Sequence, residues 1–365
     1  MDNRDILIWL NSIQGIGEKT INKLYDHFKN LTDLWYCSKN DIMQLPSITD
    51  NIKRKLIDSR SESYYNHIIT YSKSSDVKII TILDEEYPEN LRNIYNPPKV
   101  LYLKGNYNLM YKPSIAIVGS RKATYYGKWV TERLSKELSS LGICIISGMA
   151  LGIDAVAHKG ALDHNGETIA VLGSGVDRPY PKRNIGIYND ISKKGLVVSE
   201  FPLGMEAIAG NFPLRNRIIS GLSLGILVIE AKEKSGSLIT AYHGLEQGKD
   251  IFAVPGNINS IYSKGTNLLI KDGAKIVTKV EDILEEIPKL RKLIKENEEN
   301  SIKYDDFSDK EVSVIKAIHN GPIHSDMIAY NTGIYIVELN SILTILEMKN
   351  VIKALPGKVY TINNF

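Results

Sequence analysis

The residues best placed to do chemistry in this chain are glycines, serines and arginines rather than nucleophiles or acids. Successive apolar runs end in Gly119-Ser120-Arg121-Lys122, in Ser147-Gly148 (continuing to Gly152-Ile153-Asp154), in Gly173-Ser174-Gly175, in Ser235-Gly236-Ser237 and in Pro255-Gly256. One glycine-rich turn is expected wherever a strand turns sharply into a helix. Five in series imply that backbone N–H groups converge on anionic oxygen, so the ligand should carry phosphate. Dinucleotide and Walker-type fingerprints do not fit: the first turn lacks the later glycines, and no Gly-Lys-Ser or Gly-Lys-Thr occurs. No cofactor is expected.

A second constellation is Asn211-Phe212-Pro213-Leu214-Arg215-Asn216-Arg217. Two arginines flanking an asparagine supply bidentate phosphate donors, and Phe212 offers a ring for a base, a combination that suits a single nucleic-acid strand. The competing reading makes Arg121, Arg215 and Arg217 members of ion pairs with Glu200 or Glu230, and Phe212 a half-buried core residue. Asp154 and His158 have the spacing of two metal ligands on one helix face, but no third ligand lies nearby. Capping by Asp154 and hydrogen bonding by His158 are preferred to a metal site. No catalytic residue is assigned.

These residues need a scaffold that lines up strand ends. Strands are expected at residues 115–118, 143–146, 168–172, 196–198, 226–230, 251–254 and 275–277, separated by amphipathic helical stretches. Most are short apolar runs without a polar face, as in parallel strands buried on both sides. The fold class is therefore α/β, a Rossmann-like doubly wound, mostly parallel sheet, in which ligands bind beyond the C-terminal strand ends. With 365 residues, 43% of them hydrophobic, and a formal charge of +3, the chain is globular material whose net charge decides little. Cys37 and Cys144 give no disulfide framework and suit a reducing compartment. The start of the chain lacks a signal-peptide pattern and no apolar run is long enough to span a bilayer, so a cytoplasmic location and no membrane partner are expected.

Four segments are expected: helical residues 1–70, a core at 71–285 whose leading part docks onto it, a charged linker at 286–304, and a last domain at 305–365. In the first, Gln14-Gly15-Ile16-Gly17 between two amphipathic helices resembles a helix-hairpin-helix (SAM-like) turn. Gly15 and Gly17 could there touch a DNA backbone or simply close the turn. The last segment has the order of a winged helix, but carries seven carboxylates against five lysines, which favours protein docking or regulation over duplex binding.

Taken together, Val118-Gly119-Ser120-Arg121, Ser147-Gly148-Met149-Ala150-Leu151-Gly152-Ile153-Asp154 with Ala157-His158, Tyr180-Pro181, Ser199-Glu200-Phe201-Pro202, Phe212-Pro213 with Arg215-Asn216-Arg217, Ser235-Gly236-Ser237 and Val254-Pro255-Gly256 resemble the DNA-processing A (DprA/Smf) family over about residues 75–280. The resemblance implies a non-enzymatic protein that binds single-stranded DNA, forms a homodimer and loads the recombinase RecA during natural transformation. Family members often carry a charged residue where this chain has Leu214, so affinity could be borrowed from Lys182, Arg183, Lys193 and Lys194. The alternative is a nucleotide N-glycosidic hydrolase of the LOG type. It fares worse because Ser237-Leu238-Ile239-Thr240-Ala241 has no carboxylate where those enzymes keep theirs.

Overall fold

The computed structural model describes residues 1–292, 307–319 and 321–362. It divides into two compact units, residues 1–290 and 291–365. The sequence-expected linker falls largely on residues 293–306, outside the described residues.

The first unit begins with helices α1 (Asn3–Ser12), α2 (Glu18–Phe28), α3 (Leu31–Tyr36), α4 (Lys39–Met43), α5 (Asp50–Ser59) and α6 (Glu62–Ser74). Strand β1 (Lys78–Thr81), the short helix α7 (Glu89–Arg92) and β2 (Val100–Gly105) follow. The remainder alternates: β3 (Ser114–Val118), α8 (Tyr125–Ser140), β4 (Cys144–Ser147), α9 (Ile153–Leu162), β5 (Thr168–Val171), α10 (Ile185–Lys194), β6 (Leu196–Ser199), α11 (Asn211–Leu222), β7 (Gly225–Val228), α12 (Gly236–Glu246), β8 (Asp250–Ala253), α13 (Lys264–Lys271), β9 (Lys275–Ile276) and α14 (Glu281–Leu284).

All nine strands join one sheet in the order β1-β2-β6-β5-β4-β3-β7-β8-β9. From β6 across to β9 every pairing is parallel, whereas β1 and β2 add to the β6 edge antiparallel. The expected docking segment is thus part of the sheet itself. The chain moves one way from β3 through β6 and then returns to the other side of β3, so the strand order switches between β3 and β7. In an open α/β sheet that crevice is where ligands sit. Every residue of β3, β4, β5, β6 and β7 is buried, which is why their sequences carry no polar face.

The N-terminal helices do not stand apart as a separate lobe. Ile6, Trp9, Leu10, Leu24 and Leu34 share one core with Val100, Tyr102, Ala170 and Val197 on a face of the sheet. Arg4 closes the outer edge of β1, donating to the Ile79 carbonyl at 3.0 Å and to Asp84 at 2.9 Å.

The second unit has its own core of Val314, Ile315, Ile328, Leu339, Leu343 and Leu346. Helix Asp309–His319, the short strand Ile323–His324, helices Ser325–Thr332 and Ile336–Met348, and strands Ile352–Leu355 and Val359–Ile362 follow in that order, the three strands forming one sheet. Gly333 turns between the last two helices at φ 69°. This is the winged-helix order. Among the described residues no helix is long and apolar enough to cross a membrane, and no group of three or more His, Cys, Asp and Glu could hold a metal.

Candidate nucleic-acid interface

A cleft of about 670 Å³ opens at the switch between β3 and β7. The loop after β3 supplies Gly119, Ser120, Arg121 and Lys122; the loop after β7 supplies Lys232, Lys234, Ser235, Gly236 and Ser237; α11 supplies Phe212, Arg215 and Asn216. The Arg121 guanidinium lies 5.4 Å from the Phe212 ring centroid, and Tyr180 lies 5.7 Å from the same ring at a tilt of 41°. A cation and two rings therefore share one wall, the geometry for holding a base by its face and a phosphate beside it.

Glycines make this wall. A Cβ on Gly173 would stand 2.9 Å from the Phe212 ring, so only glycine lets the ring rest on the backbone. Gly152, at φ 80°, would put a Cβ 2.2 Å from the Ser120 carbonyl, and Ile153 donates its N–H to that carbonyl at 3.2 Å. The loop carrying Arg121 is fixed at its other end by Glu230. This buried carboxylate accepts the Thr124 N–H at 2.9 Å and the Thr124 hydroxyl, while Thr124 caps α8. Among the described residues none of Arg121, Lys122, Lys232 and Lys234 has a carboxylate within ion-pair distance. Their charge is available to a ligand.

Several expected site residues sit elsewhere or act differently. Ser147 is fully buried and donates its hydroxyl to the Ile117 carbonyl at 2.6 Å, so it faces no ligand. Gly148 contributes closeness rather than an open N–H: its carbonyl accepts from Arg215 at 2.7 Å, and a Cβ there would strike the guanidinium. Arg215 is only 3% exposed and also donates to the Val171 carbonyl. Burial lowers its pKa to about 10, opposed by nearby Asp154, so it remains a cation beneath the cleft floor at neutral pH.

Arg217 is a correction. Both of its terminal nitrogens reach Glu200 at 2.7 Å, one also meets Glu18 at 3.1 Å, and Nε donates to the Asn96 carbonyl. The reason is helical geometry: residues two apart on α11 project to different faces, so Arg215 and Arg217 cannot serve one ligand. Arg217 instead faces a second cleft, of about 1070 Å³, whose lining includes Gly15, Gly17 and Glu18. Gly15 and Gly17 are therefore not brought to the Arg121 cleft. The first turn of α2 carries its own acid, Glu18, whose pKa burial raises to about 7 against the pull of Arg217.

His158 is fully buried between the Thr168 hydroxyl at 2.7 Å and the Met149 N–H at 3.3 Å, and burial depresses its pKa to about 3. Gly152, not Asp154, is the N-cap of α9; Asp154 accepts the Ala150 N–H at 3.4 Å from within the first turn. Lys182 and Arg183 follow Tyr180 in the chain and are exposed, but they are not among the residues that line the cleft. Lys193 and Lys194 close α10 just before β6 begins, at the N-terminal ends of the parallel strands and so away from the cleft, and cannot support it. Sequence reasoning assigned no site role to Tyr180, Lys232 and Lys234, although the last two lie between a strand end and a glycine turn, where such residues should be sought.

An open α/β sheet with a cationic, ring-lined crevice at its switch point defines a binding module for a phosphate-bearing, ring-bearing ligand. The family model for DNA recombination-mediator protein A matches residues 78–288, and that for the DprA winged helix domain matches residues 303–358; the chain belongs to the DprA family. It is 41% identical over 243 residues to the DNA processing protein DprA of Bacillus subtilis, covering 66% of this chain and 82% of that one. The solved structure of DNA processing protein A from Streptococcus pneumoniae superposes with a TM-score of 0.66 at 35% identity, covering 79% of this chain and 99% of that one. The Helicobacter pylori protein, solved for its single-stranded DNA binding mode, gives a TM-score of 0.53 at 32% identity over 58% of this chain and 96% of its own.

Proposed function

We propose that the Arg121 cleft binds single-stranded DNA without regard to sequence, and that the chain holds strands for delivery to a RecA-type recombinase. The observation that carries this reading is Arg121 stacked on Phe212 beside Tyr180, with Lys122, Lys232 and Lys234 around them and no carboxylate paired to any of the four cations among the described residues. Rings that meet any base by its face, and cations that meet any phosphate, give affinity without sequence readout. The Helicobacter pylori relative supports the choice of a single strand. A homodimer and the RecA partnership rest on family membership.

A hydrolytic role finds little support in the side chains. Glu200 is engaged by Arg217, Glu230 is held by the N–H and hydroxyl of Thr124, and the turn from Ser237 to Ala241 has no carboxylate. The test is a titration of labelled single-stranded and duplex DNA across salt with the wild type, Arg121→Ala and Phe212→Ala. Arg121→Ala should weaken single-strand binding and lower the salt slope by about one; Phe212→Ala should cost about 1–3 kcal/mol with the slope unchanged. Wild-type affinity and slope in both variants would remove the cleft from consideration.

A further inference from the structure

Beyond the cleft, α8 presents two large rings to solvent. Its buried stripe is Gly127, Val130, Thr131, Leu134, Ser135 and Leu138. Tyr125 and Trp129 lie on the opposite side, 87% and 51% exposed. Four residues apart, they share one helix face about 6 Å apart along the axis. Tyr125 is the first residue of α8, three positions after Lys122 of the cleft, so this face begins where the cleft ends. Lys122 and Lys128 flank the rings, and neither has a carboxylate within ion-pair distance among the described residues. Of the acids, Glu137 is held by Arg133 at 2.8 Å, and Arg133 in turn lies 5.9 Å from the Trp129 ring; Glu132 is exposed.

Single exposed rings are ordinary, but two side by side on one helix face form the start of an apolar patch of the kind that marks an interaction surface. Exposed rings interleaved with unpaired lysines match the needs of a flexible polyanion with aromatic bases, and the face is continuous with a cleft built on the same principle. We propose that the N-terminal half of α8 is a second contact for the strand: bases leaving the cleft stack on Tyr125 and Trp129 while Lys122 and Lys128 meet their phosphates. This rests on the reading of the cleft as a single-strand site and extends it to a longer footprint with a defined exit.

The test uses the full chain with oligothymidylates of about 4 and about 16 nucleotides, spanning the usual site sizes of such grooves. Tyr125→Ala with Trp129→Ala should bind the short strand as wild type does and lose about tenfold or more on the long one. Trp129 also supplies a direct signal. Trp9 is fully buried and packs edge-on against Trp35, so quenching of emission by the long strand, absent in Trp129→Phe, reports stacking at α8. Wild-type affinity of the double variant for the long strand, or quenching that survives in Trp129→Phe, overturns the proposal. So does a double variant that changes only the oligomeric state, since the face would then lie between copies of the chain. Arg121→Ala distinguishes this from failure of the cleft: if it leaves both lengths unaffected, the cleft reading falls first.

Discussion

A buried carboxylate beside an anion-binding cleft should by its charge alone weaken binding. Glu230 makes the opposite case through geometry. It is 3% exposed, takes both the N–H and the hydroxyl of Thr124, and fits only because Gly127 has no side chain; a Cβ there would lie 2.4 Å from the carboxyl carbon. Those contacts fix the start of α8 and hence the loop that lays Arg121 over Phe212. Glu230→Gln keeps the shape, removes the charge and turns either an amide N–H₂ or a weaker acceptor toward Thr124. Charge predicts tighter binding of a single strand; position predicts binding weaker by about 1–2 kcal/mol, which is the expected outcome. A titration at one salt concentration decides, because the two accounts differ in sign. Loss of hydrogen bonding should also loosen Arg121, so the salt slope should fall with the affinity.

At the scale of elements, α11 explains both what the sequence revealed and what it concealed. The strands were legible because a parallel strand buried on both faces is a run of apolar residues, as residues 115–118 and 196–198 are within β3 and β6. The turns were legible because a helix N-terminus approaching an anion favours glycine and serine. The facing of Arg215 and Arg217 was not legible as a pair. Sequence proximity suggested a shared ligand, whereas a helix beginning at Asn211 sends one under the cleft and the other toward Glu18 and Glu200. Tyr180 escaped for another reason: it comes from the loop before α10 and meets Phe212 only through the tertiary fold. The two faces of α11 should separate experimentally. Arg217→Ala strands the half-buried carboxylates of Glu18 and Glu200 and should cost roughly 3 kcal/mol in denaturant unfolding. Its salt slope for single-strand binding should stay that of wild type. A slope reduced as in Arg121→Ala would mean that Arg217 touches phosphate after all.

For the whole molecule, the two units have separate cores, one around the nine-stranded sheet and one within residues 307–362. The helix Ile336–Met348 is the element that a winged helix would offer to a major groove. Its exposed residues include Val337, Asn340, Ser341 and Thr344, with no lysine or arginine before its end. A chain ending at Leu290 should fold and bind single-stranded DNA within about twofold of full length, a difference near the ±0.5 kcal/mol expected of changes away from a site. The check is the same titration on both proteins. If single-strand affinity vanishes with residues 291–365, the cleft is not the DNA reader.

That Arg121, Lys122, Lys232 and Lys234 form no ion pair among the described residues has an energetic consequence for the free protein. Like charges gathered at one edge repel each other, and the nearness of Arg121 already contributes to lowering the pKa of Arg215. On the proposed reading of the cleft, a bound phosphate would relieve that repulsion. Counterions relieve it too, so added salt loosens the grip on DNA while easing the protein's self-repulsion. Surrendering a strand then need not leave the carrier fully exposed to its own charge, because small ions return as the nucleic acid departs, and the same exchange that drives capture makes release reversible.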